Sequence, residues 1–141
     1  MDAVHEAYRA AAAKGARIHL PVDMQCGDFK GNVRQFSAFK DIEDGWAMLD
    51  TGAKTAIKFG AVLRTARTIV WNGPMGTFEN PPFDKGSKAI LKDMAHATAK
   101  GAHTVVGGGD GVAFVMSQDG EGLLSHVSTG GGASIELLEG K

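Results

Sequence analysis

Residues 103–116 read His-Thr-Val-Val-Gly-Gly-Gly-Asp-Gly-Val-Ala-Phe-Val-Met. A β-branched run that stops at three glycines predicts a strand over residues 103–106 and a turn over residues 107–110. The apolar residues that follow predict a helix from Gly111 to Met116. A strand, a short turn and a helix in this order are the repeating unit of α/β folds with parallel sheets.

The rest of the chain repeats this order with short links. Gly15 and Gly101 stand where two predicted helices should end. Residues 23–44 lack regular periodicity and are predicted as a loop with a short strand near residues 35–39. The pattern predicts a three-layer, Rossmann-like parallel sheet with helices on both faces. Helices are expected over residues 2–14, 51–64, 84–100 and from about 133, and strands over residues 17–22, 68–71 and 123–127, with a buried strand over residues 46–49.

Length and composition limit the classes of function. The chain has 141 residues, of which 43% are hydrophobic, enough for one domain with a core. No apolar run approaches the ~20 residues of a membrane span, and a net charge of -1 gives no general attraction to nucleic acid or anionic lipid. The single cysteine, Cys26, excludes an internal disulfide and a four-cysteine zinc site. We therefore expect a cytoplasmic protein with neither nucleic-acid nor membrane partners.

Three glycine-rich turns follow predicted strands, over residues 71–76, 107–110 and 128–132. Ligands of open parallel sheets bind beyond the carboxyl ends of the strands, where backbone N–H groups and helix N-termini attract anions. Three such turns favour a polyanion such as a nucleoside triphosphate. The alternative is that glycine only allows tight packing there. Neither Gly-x-x-x-x-Gly-Lys-Ser/Thr nor a Gly-x-Gly-x-x-Gly after a strand occurs, so a P-loop or dinucleotide site is not predicted.

Two carboxylates lie at these turns. Asp110 could coordinate a Mg²⁺ ion that bridges nucleotide phosphates, or it could cap the helix that starts at Gly111. Glu79 could accept hydrogen bonds from ribose hydroxyls, or it could be a solvated loop charge. The residues alone leave both pairs of alternatives open.

The turns and the segments around them form a recognisable series. The segments are Ile-Val-Trp-Asn-Gly-Pro-Met-Gly-Thr-Phe-Glu (69–79), Val-Gly-Gly-Gly-Asp (106–110), Ser-His-Val-Ser-Thr-Gly-Gly-Gly-Ala-Ser (125–134) and Glu-Leu-Leu-Glu-Gly-Lys (136–141). These segments closely resemble those of phosphoglycerate kinase, and the resemblance runs from about the first helix to Lys141. Shorter segments in the same order fit the same family: Leu-Pro-Val-Asp at residues 20–23, Gly-Trp at 45–46 and Leu-Asp at 49–50.

The resemblance implies Mg²⁺-dependent phosphoryl transfer between 1,3-bisphosphoglycerate and ADP, which yields 3-phosphoglycerate and ATP in glycolysis. It implies that Asn72 and Glu79 contact the nucleotide, the latter at the ribose, and that the segment 108–110 approaches the phosphates and the metal. The implied nucleotide-binding residues are Asn72, Gly73, Pro74, Glu79, Gly107, Gly108, Gly109 and Asp110, with Asp110 also the metal ligand. The implied catalytic residues, at the helix start that faces the transferred phosphoryl group, are Gly130, Gly131 and Gly132.

The sequence also departs from the family pattern. Gly111 stands where the family usually has threonine, Met48 where many members have a glycine near the adenine, and Ala53 where the family has proline in Gly-Pro-Lys-Thr. Family members also carry an N-terminal domain that binds phosphoglycerate through basic residues, which this sequence does not show.

We therefore expect the C-terminal part of a nucleotide-binding domain, which holds ADP or ATP without turnover when alone. Two alternatives remain: a non-catalytic nucleotide-binding module, and an assembly partner that completes its sheet with another chain or associates with itself through an exposed sheet edge.

Overall fold

A computed structural model describes residues 2–128 of the chain, which form a mixed α/β structure. Within these residues no helix is long and apolar enough to cross a membrane. Two short 3-10 turns cover Phe39–Asp41 and Glu121–Leu123. In chain order the elements are α1 (Asp2–Lys14), β1 (Met24–Asp28), β2 (Val33–Phe36), β3 (Trp46–Thr51), α2 (Ala53–Leu63), β4 (Thr68–Asn72), α3 (Lys85–Ala99), β5 (His103–Gly107), α4 (Gly109–Ser117) and β6 (His126–Val127).

The predicted parallel sheet is confirmed as a three-stranded sheet in the order β4-β5-β6, flanked by helices. Strands β4 and β5 pair from Thr68 with His103 to Asn72 with Gly107. Because both neighbours of β5 run parallel to it, the carboxyl ends of all three strands lie at one edge. The turns over residues 71–76 and 107–110 therefore begin at one edge of the sheet, as the sequence predicts.

The main core lies between this sheet and helices α3 and α4. Met94 of α3 and Phe114 of α4 are fully buried, and the Trp71 ring meets the Phe114 ring edge to face at 5.9 Å. Edge-to-face pairs add about 0.5–1.5 kcal/mol to the free energy of burial. The buried apolar side chains of α3 thus hold this helix against the strands. The buried members of the cluster are Ile69, Trp71, Ile90, Leu91, Met94, Ala97, Val106, Phe114, Val115 and Leu124.

An antiparallel sheet in the order β2-β1-β3 replaces most of the loop expected over residues 23–44. The expected strand near residues 35–39 lies earlier, at Val33–Phe36, and ends before the 3-10 turn. Strand β3 was predicted, but as a buried strand of a parallel sheet, whereas Met48 is 37% exposed. Three buried apolar residues, Met24, Cys26 and Phe36, form the small core of this sheet. One solvated face is the usual pattern for antiparallel sheets.

Two predicted strands are absent or shorter. Residues 17–22 form no strand, and Ile18, Leu20 and Val22 remain 42%, 53% and 41% exposed. A β-branched run becomes a strand only where a neighbouring strand pairs with its backbone. Within the described residues, no strand pairs with residues 17–22. The strand expected over residues 123–127 is reduced to His126–Val127, because a 3-10 turn ends at Leu123.

Candidate functional site

The first two glycine turns meet at the carboxyl edge of the parallel sheet. Gly108 has a φ of +84°, and a Cβ atom built on it would lie 2.8 Å from Asn72 Oδ1. A Cβ atom on Gly111 would lie 3.2 Å from the Gly73 nitrogen. The positive φ and the 2.8 Å contact at Gly108 both favour a residue without a side chain, whereas a Cβ atom at Gly111 would need its neighbours to move by only a few tenths of an ångström. Asn72, Gly73 and Gly108 therefore form one continuous surface, with Gly107 paired beside Asn72.

The third turn begins beside the second. The Ser128 amide donates to the Val106 carbonyl at 2.8 Å, which places the end of β6 next to the end of β5. Gly130, Gly131 and Gly132, and the helix predicted from about residue 133, lie outside the described residues.

The N-terminus of α4 faces this edge without a side-chain cap. The first backbone bond of the helix runs from the Val112 amide to the Gly108 carbonyl at 3.0 Å. The amides of Gly109, Asp110 and Gly111 precede it and have no acceptor within the helix. Three such donors at the positive end of a helix dipole could bind an anion.

Asp110 lies in the first turn of α4 with its side chain exposed. The capping alternative is wrong, because Gly108 occupies the capping position. Among the described residues no cluster of three or more His, Cys, Asp or Glu side chains could hold a metal ion. A cation bound by Asp110 would therefore take its other ligands from phosphate oxygens and water, an arrangement typical of Mg²⁺. An exposed carboxylate beside free amides fits such an ion.

The loop from β4 to α3 carries Pro74 and Glu79. The loop is held to β3 by the Thr77 amide, which donates to the Leu49 carbonyl at 2.9 Å. It is held to α4 by the Phe78 ring, which meets the Phe114 ring at 5.3 Å. Glu79 follows these anchors and is exposed, so a solvated charge and a ligand contact remain equally compatible with its position.

Sequence reasoning missed two buried carboxylates that hold this framework. The Asp50 side chain, at the end of β3, accepts the Thr51 amide at 2.8 Å and the Gly86 amide at 2.9 Å. Burial raises the pKa of the Asp50 carboxyl, and the nearby charge of Asp84 acts in the same direction. Asp50 therefore ties the antiparallel sheet to the first turn of α3.

Asp23 does the same for α2. Its carboxylate accepts the Lys54 amide at 2.9 Å, the Thr55 amide at 2.8 Å, the Thr55 hydroxyl at 2.6 Å and the Gln35 side chain at 3.0 Å. Burial acts to raise the pKa of the Asp23 carboxyl, but the hydrogen bonds from Thr55 and Lys54 outweigh it and hold the pKa below its usual value. Leu-Pro-Val-Asp and Leu-Asp marked both positions in the sequence, but only through the family resemblance.

An apolar cavity of about 250 Å³ lies beside β4 and reaches the first glycine turn at Met75. Side chains of α2, α3 and β4 line it, together with His19 and Met75. Trp71, which also lines it, has a buried indole N–H that meets no acceptor in the part of the chain that the structure describes. Its apolar lining shows that it is not the anion site.

Comparisons with known proteins point to one family. The family model described as phosphoglycerate kinase matches residues 1–141. The chain is 52% identical over 133 residues to the phosphoglycerate kinase of Chloroflexus aurantiacus, with 93% of this chain and 33% of that protein aligned. It is 47% identical over 143 residues to that of Schistosoma mansoni, with 99% and 34% aligned.

Solved structures agree. The phosphoglycerate kinase of Coxiella burnetii superposes with a TM-score of 0.88 at 33% identity, over 99% of this chain and 36% of the other. That of Pyrococcus horikoshii superposes with a TM-score of 0.77 at 32% identity, over 99% and 34%. The chain spans about a third of the length of the curated relatives that it matches.

Proposed function

This chain belongs to the phosphoglycerate kinase family, and we propose that it holds the nucleotide during Mg²⁺-dependent phosphoryl transfer between 1,3-bisphosphoglycerate and ADP. The products are 3-phosphoglycerate and ATP, and the setting is cytoplasmic glycolysis. One observation carries the proposal: two glycine turns converge on an α4 N-terminus that no side chain caps, next to the exposed Asp110.

Each element of the edge has a proposed task. The amides of Gly109, Asp110 and Gly111 bind phosphate oxygens, while Asn72, Gly73 and Pro74 line the nucleotide on the neighbouring turn. Asp110 holds Mg²⁺, which neutralises charge on the phosphates when bound. Glu79 accepts the ribose hydroxyls.

The transferred phosphoryl group needs positioning and charge stabilisation rather than a covalent partner. We assign that task to Gly130, Gly131 and Gly132, on the family resemblance and because Ser128 places the start of their turn beside Val106. The phosphoglycerate is bound by the N-terminal domain that family members carry. Residues 1–141 by themselves should therefore bind nucleotide without turnover, since one substrate alone cannot be positioned for transfer.

Titration of the chain with fluorescent ADP, with and without Mg²⁺, tests the nucleotide site. We expect Mg²⁺ to strengthen the binding. ATP should displace the fluorescent ADP, whereas adenosine should displace it poorly, because the described donors are all proposed to bind phosphate. Adenosine that competes as well as ADP would contradict the site. An enzyme-coupled assay checks turnover, and ATP formation by this chain alone would contradict the second expectation.

A second candidate function is assembly through the free edge of β4. Within the described residues β4 pairs only with β5, Val70 is 40% exposed, and Val62 of α2 is 39% exposed. Unpaired strand edges invite pairing with other chains. Light scattering after size exclusion tests this candidate: a monomer that binds little hydrophobic dye would argue against it.

A further inference from the structure

We propose that Ser87 is a positioning residue for the nucleotide turn, an inference that rests on the proposed function. Ser87 lies in the first turn of α3 and is fully buried. Its hydroxyl accepts the Met75 amide at 2.9 Å. Met75 lies two residues after Gly73 and four before Glu79, so this bond fixes the middle of the segment whose two ends we assign to the nucleotide.

The bond is one of three hydrogen-bonded anchors along this segment, in addition to the ring contact of Phe78 with Phe114. Asn72 is held by its pairing with Gly107 in the sheet, and Thr77 by the Leu49 carbonyl. Among the described residues, Ser87 is the one member of another element whose side chain accepts a hydrogen bond from residues 73–76. Without it, the four residues between Asn72 and Thr77 would keep, within residues 2–128, only the local bond in which the Gly76 carbonyl accepts the Phe78 amide.

The acceptor itself is held in place. Gly86, the residue before Ser87, donates its amide to Asp50 at 2.9 Å. A Cβ atom on Gly86 would lie 2.3 Å from Asp50 Oδ1, so the helix start sits directly on the end of β3. The turn is thus bonded to α3, and α3 is bonded to β3. The position of Met75 therefore depends on the position of α3.

The test compares Ser87→Ala with Ser125→Ala in the same chain. The Ser125 hydroxyl accepts the Thr104 amide at 2.9 Å, so both variants lose an amide-to-hydroxyl bond of the same kind. Ser125→Ala also loses a longer bond to the Ala102 carbonyl, at 3.4 Å. Ser125 lies at the opposite end of the parallel sheet, near the amino end of β5. Ser87→Thr keeps the hydroxyl and serves as the conservative variant.

Titration with fluorescent ADP and Mg²⁺ is the first readout. The bond is worth ~1 kcal/mol and favours the binding-competent conformation of the turn. Its loss should therefore weaken nucleotide affinity about fivefold. We expect this loss for Ser87→Ala and less than twofold change for Ser87→Thr and Ser125→Ala. An equal loss in both alanine variants would overturn the proposal, because it would reflect stability alone.

Amide hydrogen exchange is the second readout and does not depend on nucleotide binding. Ser87→Ala should speed exchange of the Met75 amide at least fivefold, about the factor expected for that bond, and leave the Thr104 amide unchanged, while Ser125→Ala should do the reverse. Unchanged protection at Met75 would overturn the positioning proposal. Lost protection in a chain that binds no ADP would instead uphold the positioning of the turn and contradict the proposed function.

Discussion

Replacement of Gly111 by threonine tests whether the phosphate site lies where the two turns meet. A side chain at this third position of α4 points back toward the N-terminus of the helix, where the free amides lie. Its hydroxyl would add one hydrogen bond to a charged phosphate, worth about 1.5–3 kcal/mol. The Cβ atom would lie 3.2 Å from the Gly73 nitrogen and 3.3 Å from Val106 Cγ2, so these neighbours must move by a few tenths of an ångström. Such crowding costs on the order of 1 kcal/mol.

Gly111→Ala is the matched control, because it adds the same Cβ atom without the hydroxyl. We expect Gly111→Thr to bind Mg-ADP about tenfold more tightly than Gly111→Ala, which is ~1.4 kcal/mol. It should also bind several times more tightly than the unchanged chain. Fluorescent ADP titration measures both ratios, and urea unfolding checks that the two variants are equally stable. Equal affinities of the two variants would refute the assignment of phosphate to the α4 N-terminus.

Two further substitutions address the carboxylates. Asp110→Asn should weaken Mg-ADP binding about tenfold. It should leave ADP binding in EDTA unchanged or tighter, because the carboxylate repels phosphate when no cation is present. The control, Glu121→Gln, replaces an exposed acid beyond α4 and should change neither titration. Asp23→Asn should lower the free energy of unfolding by about 2–3 kcal/mol at pH 7, since an amide group would face N–H donors that the carboxylate accepts. Because the folded pKa of Asp23 lies below its reference value of 3.8, its stabilisation is present above that pH and fades as the pH falls through the folded pKa. Urea unfolding between pH 2 and 7 should show a smaller acid-side loss in Asp23→Asn than in Asp41→Asn, an exposed control, and equal losses would contradict this.

Much of the parallel half could be predicted because its signals are local. Helix α3 has apolar residues at helical spacing and a glycine just after its end, and its bounds agree with the prediction within a residue. Strands β4 and β5 are apolar runs that stop at glycine, and the structure extends each prediction by one residue. Periodicity and turn residues specify such elements without reference to distant parts of the chain.

The antiparallel pairing of β1, β2 and β3 could not be predicted, because its signals are long-range. Met24 pairs with Phe36 on one side and with Thr51 on the other, and strands β1 and β2 are short and rich in polar residues. Asp23 and Asp50 appear in the sequence as ordinary surface charges. They are buried because helix N-termini more than 30 residues away supply the amides that they accept, a contact that only tertiary structure creates.

The candidate site combines these two kinds of information. Its donors are backbone amides, so no side-chain motif marks them, and glycine clustering was the available signal. Yet glycine alone does not place the turns. Gly108 and Gly111 let the second turn reach Asn72 and Gly73, while the pairing of Asn72 with Gly107, together with Ser87 and Leu49, holds the first turn. Replacement of a glycine by a residue with a side chain should therefore push the two turns apart. Loss of an anchor should instead make one turn more mobile. The first kind of variant should change affinity with little effect on amide exchange at Met75, and the second should change both.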